Sequence, residues 1–131
     1  MKVMIENNSE KKVFFADTYA LIEIIGGNLN YKPYLNNLLL TTKFNLSELY
    51  YSLLKDYGKE AADKYLILYS DFLIPISITS IQYGMEFKLN HKKEKLSYVD
   101  CIGYALSVEL NIKFLTGDEK FENKSNVEYI K

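Results

Sequence analysis

Residues 14–25 read FFADTYALIEII, and the way this segment divides decides the fold. Val13–Ala16 is a short continuous apolar run, as expected of a strand buried on both faces. From Thr18 to Ile25 the apolar residues fall at helical spacing, and Gly26-Gly27 ends the pattern. Asp17 sits at the junction of the two. A carboxylate among apolar neighbours is costly to bury unless something pairs with it, so its presence asks for a reason.

Working outward, Leu38–Thr42 reads as a second strand, although Leu38–Leu40 could equally finish a helix started at Pro33. From Asn45 to about Tyr69 the apolar spacing is helical, with Gly58 dividing two helices. Phe72–Ile76 reads as a short strand whose Pro75 marks an edge or an end. Thr79–Lys88 is a further helix and Asn90–Lys95 a basic loop. Ser97–Leu110 is the cleanest amphipathic helix in the chain. Ile112–Thr116 and Val127–Ile130 are strands, and residues 1–11 form a polar lead-in with a short edge strand at Val3–Ile5. Strands alternating with helices predict one α/β domain over residues 1–131, a parallel sheet covered on both faces.

Composition narrows the chemistry. The 131 residues are 48% hydrophobic and 25% charged, as in ordinary globular domains. A net charge of −1 announces no nucleic-acid binder, but a small enzyme needs only a local basic rim. All 16 basic residues are lysine, so phosphate contacts cannot use bidentate guanidinium clamps. The single Cys101 excludes an intrachain disulfide and a cysteine-based zinc cluster, and reads as a small core residue. The single His91 leaves little for a histidine triad and reads as a surface residue. These absences suit a reducing, cytoplasmic setting. No run approaches a membrane span, and Met1–Lys12 is too polar for a signal peptide. The 12 tyrosines pack the core, line an interface or stack on unpaired bases.

Four acids stand out by position. Ligands bind such sheets beyond the carboxyl ends of the strands. Asp17 follows the first strand, and Asp118 follows IKFLT after one glycine. Glu48 in FNLSELYY and Asp100 in LSYVDCIGYALS each lie in the first turn of a predicted helix, beside apolar residues. Plainer roles exist for each. Ser97-x-x-Asp100 and Asn45-x-x-Glu48 have the form of capping boxes, Asp17 can cap the helix after it, and Asp118 can belong to a turn. Convergence is the alternative. Two unit charges 4 Å apart repel by about 4 kcal/mol at an effective dielectric of 20, so converging carboxylates call for a cation. Ligation by oxygen alone points to magnesium or manganese.

With these residues assembled, the chain resembles the PIN-domain family of small metal-dependent ribonucleases. FFADTYALIEI is similar to that family's opening strand with its aspartate and following hydroxyl residue, and FNLSELYYSL matches the position of its helical glutamate. LSYVDCIGYALSVELNIKFLTGDEKF carries the most specific part: a serine-initiated helix with an aspartate, a strand, and a threonine-x-aspartate turn. Cys101 and Ile102-Gly103 depart from the alanine-rich sequence that often follows the helical aspartate.

The resemblance implies a three-layer α/β/α domain around a mainly parallel sheet. It implies an endoribonuclease that hydrolyses phosphodiester bonds with Mg2+ or Mn2+ held by Asp17, Glu48, Asp100 and Asp118. Thr116 and Thr18 correspond to hydroxyl positions that support such a site, with Ser47 a further candidate; apart from the resemblance, Lys92, Lys93, Lys95 and Lys120 could contact backbone phosphates, although a charge run such as the lysine loop is more often a solvated surface. Many proteins of this family and size resemble VapC-type toxins, which pair with an antitoxin and form homodimers; others process RNA without one. The main alternative is a non-catalytic PIN-like module that binds RNA or protein. A phosphoaspartyl hydrolase would want a second aspartate where Tyr19 stands, and Gly26-Gly27 follows a helix rather than opening one as a phosphate loop does.

Overall fold

Alternate residues of the first strand, β1 (Val13–Ala16), serve two separate cores in the computed structural model, which describes residues 11–131. Phe14 and Ala16 point to one face and Phe15 to the other, as the two-residue period of a strand requires. β2 (Leu38–Leu40), β3 (Lys113–Thr116) and β4 (Val127–Tyr129) complete a four-stranded sheet of order β2-β1-β3-β4, parallel throughout.

On one face lie α1 (Thr18–Ile25), α2 (Lys43–Tyr57) and α3 (Lys59–Tyr69), whose Leu21, Leu49, Leu53 and Ala62 pack with Phe14, Leu39 and Leu115. The other face is covered by α5 (Tyr98–Glu109), with α4 (Ile78–Asn90) packed outside it. Here Phe15 stacks on Phe114 with ring centroids 5.7 Å apart, and Tyr104 and Phe121 close around them. The three-layer expectation holds. Short 3-10 turns occupy Leu29–Asn36, Ser70–Phe72, Lys92–Glu94 and Glu119–Phe121.

Four local expectations change. Phe72–Ile76 is not a strand: only Leu73 pairs, through a single parallel bridge to Thr41. Pro75 has no N–H to extend that ladder. Pro33 lies within a 3-10 turn rather than starting an α-helix. The helix carrying Glu48 begins at Lys43 and is capped by Thr42, not by Asn45. Finally, α5 is not amphipathic in its setting, because Cys101 through Ser107 are all buried between the sheet and α4. Two glycines permit this. A Cβ on Gly103 would stand 2.8 Å from the Phe15 ring, and one on Gly84 of α4 would stand 2.9 Å from the Cys101 carbonyl oxygen. The expected Val3–Ile5 strand lies outside the described residues. Among those described, no helix is long and apolar enough to cross a membrane.

Candidate functional site

The carboxyl ends of β1 and β3 meet, since Ala16 pairs with Leu115 and the Asp17 N–H donates to the Leu115 carbonyl at 3.2 Å. This register sets Asp17 beside Thr116. The Asp17 backbone is extended (φ −77°, ψ 175°), as an N-cap residue requires. Its Oδ1 accepts from the Ala20 N–H at 2.8 Å, and its Oδ2 accepts from the Thr116 hydroxyl. Thr116 in turn accepts from the Asp118 N–H at 3.0 Å. One threonine therefore ties the first acid to the loop that carries the last. Asp118 Oδ1 accepts from the Lys120 N–H at 3.0 Å, closing its own turn.

Glu48 reaches the same edge from α2, one and a half turns in. Its Oε1 accepts from the Thr18 hydroxyl at 2.6 Å. Asn45 Nδ2 donates to Thr18 Oγ1 at 3.1 Å, and the Thr42 hydroxyl donates to Asn45 Oδ1 at 2.6 Å. Thr41 anchors the end of β2 by donating to the Ala16 carbonyl at 3.0 Å. Asp100 arrives from α5: Ser97 caps that helix by accepting from the Asp100 N–H at 3.0 Å, which fixes the first turn.

Charge repulsion links the acids in pairs, Asp17 with Asp100 and Asp118, and Asp100 with Asp118 and Glu48. Burial pushes the Asp17 carboxyl from an ordinary value near 3.8 up to about 7, and the charges of Asp100 and Asp118 push the same way. The Thr116 and Ala20 donors oppose that rise without cancelling it. Asp100 is also raised, first by burial and then by Asp118 and Glu48, against its bonds from Ser97. Ion pairs among the described residues join Lys59 to Asp63, Lys124 to Glu94 and Lys131 to Glu119. None reaches the four acids.

The donor chemistry suits a hard divalent cation, because every group is a carboxylate or hydroxyl oxygen. The side chains are not closed into a ligand cage: among the described residues, no three His, Cys, Asp or Glu side chains are grouped as a ready metal site. Mutual repulsion and donor type, rather than preformed coordination, carry the case for an ion.

The supporting residues divide. Thr116 and Thr18 bond to Asp17 and Glu48, whereas Ser47 is exposed and donates to the Lys43 carbonyl of its own helix at 3.1 Å. Lys120 Nζ donates to the Lys95 carbonyl at 3.2 Å, bringing the basic loop to the turn that carries Asp118. Lys92 and Lys93 are exposed on that loop and make no hydrogen bond to the acids. Burial pushes the Cys101 thiol up to about 11, which suits a packing residue. The His91 ring lies 4.1 Å from that of Phe87, with Nδ1 2.8 Å from the Phe87 carbonyl, so it finishes α4 and is half-buried rather than a plain surface residue. Sequence reasoning missed Thr41, Thr42 and Asn45 as parts of the site. The visible signal was three buried polar residues in TTKFN ahead of a glutamate.

Comparison with known proteins places the fold. The family model described as PIN domain matches residues 14–127. No curated protein matches. Among solved structures, VapC20 of Mycobacterium tuberculosis, a sarcin–ricin loop cleaving toxin, aligns with a TM-score of 0.73 at 18% identity, over 92% of this chain and 100% of that one. VapBC2 of Rickettsia felis, bound to a DNA fragment from its promoter, gives 0.69 at 21% identity, over 91% and 99%. A toxin–antitoxin complex from Klebsiella pneumoniae gives 0.69 at 18% identity, over 88% and 95%.

Proposed function

The chain belongs to the PIN-domain family, and from that premise we propose that it is a divalent-metal-dependent endoribonuclease acting at Asp17, Glu48, Asp100 and Asp118. One observation carries the reading. Asp17 is 2% exposed, yet its charged neighbours are other acids, and among the described residues no lysine pairs with it. A fold that only needed to cap α1 could use serine or asparagine there without that repulsion.

Magnesium or manganese, when bound, polarises a phosphoryl oxygen and acidifies water for attack on phosphorus. Asp17, Asp100 and Asp118 would hold the ion, and Glu48 would bind directly or through water. Thr116 keeps the Asp17 carboxylate in one orientation while fixing the backbone of Asp118. Thr18 does the same for Glu48. Lys95 and Lys120 stand beside the Asp118 turn and would meet the substrate backbone as point charges, with Lys92 and Lys93 further along the same loop.

An antitoxin partner belongs to the same reading, supported by the toxin–antitoxin complexes among the structural neighbours, and self-association is proposed only from the family resemblance. The test is a mixed single-stranded RNA pool incubated with manganese or magnesium. Cleavage by the wild type that is lost in Asp17→Asn and Asp100→Asn supports the proposal. Equal cleavage by wild type and variants would overturn it.

A further inference from the structure

We propose that Asn45 is a positioning residue for Glu48, acting through a hydrogen-bond chain, Thr42–Asn45–Thr18–Glu48, that can run in only one direction. This inference rests on the nuclease reading above and extends it to residues that touch neither metal nor substrate.

The direction follows from which groups have protons to give. An ionised carboxylate only accepts, so across the 2.6 Å contact the Thr18 hydroxyl must donate to Glu48. Thr18 has then spent its single proton and can only accept from Asn45, at 3.1 Å. Asn45 must therefore present its amide nitrogen to Thr18 and its oxygen to Thr42, which donates at 2.6 Å. The far end agrees independently. Thr42 Oγ1 already accepts from the Asn45 backbone N–H as the cap of α2, leaving its own proton for Asn45 Oδ1. A flipped Asn45 amide would set its oxygen against Thr18 Oγ1 with no proton between them, since Thr18 donates its own to Glu48.

Burial makes this assignment consequential. Asn45 and Thr42 are each 1% exposed, so water cannot replace a lost partner. Among the described side chains, every buried polar atom has a partner, and here each partner depends on the next. The chain thus clamps one oxygen of Glu48 against α1, while among the described residues no side chain donates to Oε2 of the same carboxylate, whose charge acts on Asp100. It also couples the start of α2 to the start of α1, so Glu48 keeps its place relative to Asp17, the residue before Thr18. A buried asparagine serving only as a cap would need none of the Thr18 and Glu48 geometry, because Thr42 already caps the helix.

The experiment is a manganese titration read by electron paramagnetic resonance on wild type, Thr18→Val, Thr18→Ser and Asn45→Asp, with thermal melts of each. Thr18→Val removes the donor to Glu48 at nearly constant shape. Asn45→Asp replaces the donor to Thr18 with an acceptor and so draws the Thr18 proton away from Glu48. Each should weaken manganese binding by about 10–100-fold, the range for losing a hydrogen bond to a metal-ligating group. Thr18→Ser, which keeps the hydroxyl, should restore most of the affinity. Thr18→Val binding manganese as tightly as wild type, or no more weakly than Thr18→Ser, would overturn the inference while leaving the nuclease reading intact. Wild type that binds no manganese would overturn both. Asn45→Asp that folds and binds manganese as tightly as wild type would overturn the role of Asn45, and if it fails to fold, Asn45→Ser, which loses the donor to Thr18 without adding a charge, is read in the same way.

Discussion

Asp17 caps α1 through one oxygen and meets the Thr116 hydroxyl through the other, while the charges nearest to it are acids. The sequence allowed a cap or a ligand at this position, and the geometry shows the cap. The raised carboxyl has a thermodynamic consequence. Without metal, the folded protein retains a proton on Asp17 between about pH 4 and about 7 that the unfolded chain releases. Metal-free stability should therefore fall as pH rises through that window, by at most about 4 kcal/mol from this group. Melting curves in chelator at pH 4.5 and pH 8 check the sign. Asp17→Asn keeps an oxygen for the Ala20 N–H and loses the charge. It should flatten the pH dependence and melt higher than wild type at pH 8, while losing cleavage; Asp17→Ala should lose the cap as well, by about 1 kcal/mol. Thr116→Val removes a buried donor to Asp17 and a buried acceptor for Asp118. Its expected cost is about 1–3 kcal/mol in chemical unfolding, together with weaker manganese binding.

At the scale of elements, α5 shows where periodicity informs and where it stops. Its boundaries and its Ser97 cap were legible in LSYVDCIGYALS, but its burial on nearly all sides was not. A helical pattern cannot reveal that a second helix will cover the outer face. A glycine inside a helix either costs propensity or marks close packing, and at Gly103 the structure shows the close packing, against the Phe15 ring. Gly103→Ala should gain about 1 kcal/mol of intrinsic propensity but meet an overlap whose cost is about 1–3 kcal/mol. The overlap wins, and a urea titration should show net destabilisation. Two other readings failed for local reasons. An apolar pentad at Phe72–Ile76 looks like a strand whether or not a partner lies alongside it. Thr42 and Asn45 are both good caps, and exposed Lys43 and Phe44 hide the first helical turn from an apolar pattern.

For the whole molecule, the order of elements was legible, and so was the placement of Asp17 and Asp118 after strands and of Asp100 at a helix start, whereas Glu48 lies deeper in its helix than expected. The hydroxyl and amide groups that orient the carboxylates were only partly legible, since Thr41, Thr42 and Asn45 become partners only once β2 lies against β1. The closeness of the basic loop to the Asp118 turn likewise needed the fold. If that loop meets the RNA backbone, the log–log salt slope of binding should drop by about 0.7 for each engaged lysine removed, so a Lys95→Gln/Lys120→Gln protein should show a slope smaller by about 1.4. Filter binding from low to moderate salt reads this directly. The central claim is that a divalent ion occupies the acidic edge of the sheet, and anomalous diffraction from a manganese-soaked crystal tests it most directly. The account predicts a manganese peak enclosed by Asp17, Asp100 and Asp118, with Glu48 at its border. A well-ordered crystal with no peak there, or with lysine ammonium groups in its place, would contradict it.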